Sequence, residues 1–69
     1  MEVKPYTKKE LALAYSPMLS MSGALNRLSS WINANDELLS LLKRSGYQSR
    51  QRNLTSYQVR LIFEYLGTP

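Results

Sequence analysis

The chain has 69 residues, with nine Lys and Arg against five Asp and Glu, a net charge of +4, and neither Cys nor His. That inventory excludes disulfides, a thiolate nucleophile, a Cys- or His-based metal centre and a Ser-His-Asp triad. The longest unbroken apolar run, residues 11–15, is far short of the roughly 20 needed to span a bilayer; residues 1–5 hold no signal-peptide core, and Glu2 stands where myristoylation needs glycine. A single cytoplasmic domain over residues 1–69, with no membrane partner, is the expectation. Its hydrophobic content of 43%, with Trp31, Phe63 and five Tyr, suffices for one small core.

The punctuation favours helices. Thr7-Lys8-Lys9-Glu10 has the form of a capping box. It predicts a short helix over about Lys8 to Tyr15, with Leu11, Ala14 and Tyr15 on one face. Pro17 ends it by disfavouring the α region at Ser16. Ser20 or Ser22 caps a second helix reaching about Ala34. Its apolar stripe is Ala24, Leu25, Leu28, Trp31 and Ile32. The opposite face carries Ser22, Asn26, Ser29, Ser30 and Asn33, with Arg27 at the border. That outer face is polar yet nearly uncharged.

Asn35 caps a third helix, with Asp36 and Glu37 in its first turn and Lys43 and Arg44 in its last, as the helix dipole favours. Leu38, Leu39, Leu41 and Leu42 supply its buried side. Gly46 fits the left-handed C′ position, and Tyr47 follows at C″ in a Schellman arrangement. Residues 47–54 lack a helical period and read as either a small β-hairpin or an irregular loop. If extended, they project Arg50 and Arg52 from one side. Thr55 and Gln58 form a second capping box. Val59, Ile62, Phe63 and Leu66 then mark a last helix, stopped by Gly67. The expected fold is mainly α: about four helices, with a helix-turn-helix and a small β-hairpin wing at about 47–54.

Catalysis lacks its parts. Glu10, Asp36 and Glu37 already serve helix N-termini, and the three glycines form no phosphate-cradling motif. No catalytic residue, metal, cofactor or small-molecule substrate is expected. Nucleic-acid binding is better supported. Lys43, Arg44, Arg50 and Arg52 fall within ten positions with no acid among them. Such a cluster attracts phosphates, although a solvated basic face explains the charge alone equally well. The order of elements tips the balance. A capped helix, a turn and a longer amphipathic helix suggest a helix-turn-helix whose second helix enters the major groove. There Asn26 can pair with adenine and Arg27 with guanine or phosphate, while Ser22, Ser29 and Ser30 bond bases or backbone. For a single Asn, solvation is the plainer account. The tyrosines fit core edges and caps better than base stacking, and Trp31 is most simply core.

Tyr6-Thr7-Lys8-Lys9-Glu10-Leu11-Ala12, continued by Asn26-Arg27-Leu28 and Trp31-Ile32, resembles the helix-turn-helix opening of excisionase and MerR-type proteins. Gly46-Tyr47, Arg52-Asn53-Leu54-Thr55, Gln58-Val59 and Ile62 are similar to their wing and next helix. The whole chain more closely resembles a family of short bacterial proteins classed as a domain of unknown function. The residues that carry this likeness are Glu10-Leu11-Ala12, Tyr15, Pro17, Ala24-Leu25, Arg27-Leu28, Trp31-Ile32, Gly46-Tyr47, Gln51-Arg52, Thr55, Gln58-Val59, Leu66-Gly67 and Pro69. That family implies no activity, so function must come from the site.

Two functions therefore compete. The favoured one is a winged-helix DNA-binding protein, a regulator or recombination accessory factor. It contacts duplex DNA through Ser22, Asn26, Arg27 and Ser30 of the second helix and through Lys43, Arg44, Arg50 and Arg52. The alternative is a protein-interaction module or homodimer, motivated by Leu13, Leu61 and Tyr65 falling off the main apolar stripes.

Overall fold

Thr7 is the last residue of a two-residue strand, β1 (Tyr6–Thr7), and the N-cap of the first helix. In the computed structural model, which describes residues 1–69, its hydroxyl accepts from the Glu10 backbone N–H at 3.1 Å. The Glu10 carboxylate accepts from the Thr7 N–H at 2.9 Å. The box starts α1 (Lys8–Tyr15), which ends before Pro17 as the sequence predicts. Residues 16–20 form the turn to α2 (Met21–Ala34), where the Ser20 hydroxyl accepts from the Gly23 N–H.

Asn35 serves two helices. Its N–H donates to the Ile32 carbonyl to close α2, and its side chain accepts from the Leu38 N–H to open α3 (Asp36–Arg44). Two helices thus meet with no loop between them. The C-terminus of α3 is the expected Schellman motif. The Tyr47 N–H donates to Leu42, the Gly46 N–H donates to Lys43, and Gly46 has φ +92. Tyr47 is buried behind it.

The small sheet is assembled from distant parts. After a turn closed by the Gln51 N–H on the Gln48 carbonyl at 3.0 Å, β2 (Asn53–Leu54) pairs antiparallel with β1, Tyr6 opposite Leu54 and Thr7 opposite Asn53. No hairpin lies within residues 47–54. The segment has no alternating apolar side chains to fold upon itself, whereas Leu54 is buried against the core beside Tyr6. Thr55 and Gln58 then build the second complete capping box, at the start of α4 (Ser56–Leu66).

α1 packs on α2, and α3 packs on α2 and α4. Their shared core is Leu11, Leu28, Ile32, Leu38, Leu42, Leu54, Val59 and Ile62, each essentially solvent-free. Leu61 belongs to this core, and Leu13 and Tyr65 pack against it. The three residues off the apolar stripes are therefore absorbed by the core, while Met18, Met21 and Tyr57 stay exposed. Trp31 is the reverse case. Expected inside, it is 38% exposed. It lies at the edge of the α2 stripe, where it meets the Tyr15 ring edge-on at 5.8 Å. The Tyr15 hydroxyl donates to the Gly67 carbonyl, fastening the end of the chain onto α1, and burial pushes its pKa up to about 12. No helix is long and apolar enough to cross a membrane.

Candidate functional site

One groove of about 710 Å³ opens on the surface. Three parts of the chain wall it. Thr7, Lys8 and Lys9 come from the junction of β1 and α1, Leu25 and Ser29 from α2, and residues 49–53 from the loop leading into β2. The β1–β2 pairing explains this convergence. By joining residues 53–54 to residues 6–7 it draws the basic loop across the start of α1. The Lys8 N–H donates to the Arg52 carbonyl at 2.7 Å and extends the ladder by one bond.

The loop is held from both sides. On one side the Lys8 ammonium donates to the Ser49 carbonyl at 2.9 Å and lies 5.3 Å from the centre of the Tyr47 ring. On the other, the Gln51 amide donates to the Asn53 carbonyl at 2.8 Å and to the Gln58 side-chain oxygen at 2.5 Å. Gln58 is buried, and its own amide donates to the Ser45 hydroxyl at 3.1 Å. The Ser45 hydroxyl donates to the Leu42 carbonyl at 2.6 Å. A continuous polar chain thus ties the basic loop to the end of α3 and the start of α4. Satisfied buried networks of this kind fix geometry.

The groove is cationic. Lys8, Lys9, Arg50 and Arg52 line it, and no carboxylate does. Glu10 is next to Lys9 in sequence, but its carboxylate is committed to the Thr7 cap. The Thr7 N–H and hydroxyl hold it below the usual carboxylate range, so it stays ionised there. Arg50 and Arg52 are exposed, and neither guanidinium is in an ion pair. A concave surface lined by one sign of charge focuses its field on the opposite sign.

The sequence-derived residues divide between several places. Arg50 and Arg52 are in the groove. Ser22 and Asn26 are exposed on the α2 stripe that Ser29 continues at helical spacing, beside the groove. Arg27 and Ser30 are exposed but line no part of it. The Arg27 guanidinium sits over the Trp31 ring, 5.9 Å from its centre. Lys43 and Arg44 are exposed in the last turn of α3 and are likewise outside the groove lining. Lys8, Lys9 and Gln51, which give the groove half its charge and hold its loop, were not singled out from the sequence. Only the capping box hinted at the first two, by setting them at the start of a helix.

A mainly helical domain of four helices and a two-stranded sheet, with a cationic groove where the sheet meets α1 and α2, is thus the class of protein that the fold defines. The chain belongs to the family described as a domain of unknown function, DUF4248, whose model matches residues 2–69. No curated protein matches the chain. No solved structure matches it.

Proposed function

We propose that this protein binds duplex DNA, with α1, the turn and α2 acting as a helix-turn-helix and the residue 49–53 loop acting as its basic flank. The observation that carries the proposal is the groove itself: four cations and no carboxylate, adjoining the uncharged polar stripe of α2. The cations suit the phosphate backbone, which supplies most of the affinity. The stripe suits base edges, which supply specificity. Asn26 and Ser22 are the candidate base-contacting residues on it, and Lys9, Arg50 and Arg52 the phosphate contacts. Ser30 lies one turn beyond Asn26 on the same polar face, outside the groove lining, and Arg27, over the Trp31 ring, contributes only if the duplex wraps that helix.

The competing function, an interaction module or homodimer, loses part of its motive. Leu61 is buried, and Leu13 and Tyr65 pack on the core. Titration of the protein onto duplex DNA at several salt concentrations tests the proposal. Engagement of three to four phosphates gives a log–log slope of about −3. Absence of binding at low salt overturns it.

A further inference from the structure

Lys8 is the one charged residue that the fold buries, at 5% exposure. Lysine is almost never this enclosed unless paired. Here the pairing is incomplete. The ammonium carries three N–H donors. One reaches the Ser49 carbonyl, the Tyr47 ring lies alongside, and no other side chain or carbonyl accepts from it. The molecule's single ion pair is elsewhere, Arg60 with Glu64 at 3.8 Å. The charge therefore has dipoles around it and no counter-ion. An ammonium with a single protein acceptor keeps N–H donors to offer an anion that enters the groove. This one lines the groove, together with Arg50 and Arg52.

We infer that Lys8, Arg50 and Arg52 form a seat for one phosphate group in the groove, with the Lys8 ammonium, held by the Ser49 carbonyl, as its fixed point. The inference rests on the proposed DNA-binding function and deepens it. Diffuse attraction sets no register, whereas a single seat places one backbone phosphate at one position relative to α2. The chemistry fits. A phosphate brings the missing negative charge and several acceptor oxygens, and guanidinium forks meet such oxygens two at a time. The loop that carries both arginines is already anchored by Lys8 on one side and Gln51 on the other, so little ordering is left to do on binding.

A phosphorylated small molecule presents the same group, and the experiment separates the two sources. The full chain is titrated with inorganic phosphate against chloride at matched ionic strength, with thermal unfolding and backbone amide NMR shifts as readouts. At ten times its dissociation constant, phosphate should raise the unfolding temperature by about 5–10 °C. The amide shifts should concentrate at Lys8 and residues 49–53, and Lys8→Met should abolish the thermal response. The shift map on the unsubstituted protein stands even if that variant fails to fold. A flat thermal response, or shifts spread evenly over every basic residue, overturns the seat. Phosphate displacing a labelled duplex at the concentration that stabilises the protein shows that the backbone uses it. Phosphate binding without any duplex binding at low salt keeps the seat, assigns it to a small phosphorylated ligand, and overturns the DNA proposal. Duplex binding with no phosphate effect overturns the seat alone.

Discussion

Glu10 and Lys8 show what a single residue's sequence context reveals and conceals. The role of Glu10 is legible. Three positions after Thr7, a carboxylate closes a capping box, and it does so here. Lys8, two positions earlier, looks like an ordinary solvated residue at the start of a helix. Its burial depends on Ser49 and Tyr47, some forty positions away, and no local pattern announces them. The charge of Glu10 has a measurable consequence. Hydrogen bonds from Thr7 lower its pKa in the folded state below the usual carboxylate range. Its ionised form therefore adds stability above that range, and that contribution fades as pH falls through the lower folded value. Gln also completes such a box, as Gln58 does at α4, so Glu10→Gln removes the charge while keeping the geometry. Thermal unfolding of the two proteins should differ at pH 7, with Glu10→Gln less stable, and converge as acid protonates the Glu10 carboxylate. A difference that persists at low pH would contradict this account.

At the scale of elements, the helices were legible because each carries its own start and stop. Two capping boxes, a shared Asn35 cap and a Gly46 stop are local signals, and all four form. The pairing of β1 with β2 was not legible. It joins residues 46 or more positions apart through two-residue strands, too short to show any alternation. The same holds for the second role of Gln58: the box requires it, yet its bonds to Gln51 and Ser45 follow only from how α3 and α4 pack. Gly46 isolates one of these local signals. A Cβ added there meets nothing within 4 Å, so only the backbone at φ +92 resists substitution. Gly46→Ala should cost about 1–2 kcal/mol. In a domain of this size that lowers the unfolding temperature by about 4–16 °C, readable by circular dichroism. An unchanged temperature would mean that the Schellman turn contributes little to holding α3 against the loop.

At the scale of the whole molecule, the question is whether the groove or the overall charge attracts a polyanion. The principal extents are 30 × 24 × 20 Å, less than one duplex turn of about 34 Å. One copy therefore touches few phosphates, and each cation in contact counts. Two double substitutions separate the cases because they remove the same net charge from different places. Arg50→Gln with Arg52→Gln strips the groove. Lys43→Gln with Arg44→Gln strips the end of α3, outside the groove lining. None of the four side chains makes an intramolecular ion pair, so the first pair should change stability by no more than about 0.5 kcal/mol. The second loses a modest favourable interaction with the α3 dipole. On duplex DNA, the groove pair should flatten the salt slope by about 1.8, the loss of two phosphate contacts. The α3 pair should leave the slope close to that of the unsubstituted protein. Equal flattening by both would locate the attraction in net charge and remove the groove's claim to be the contact surface.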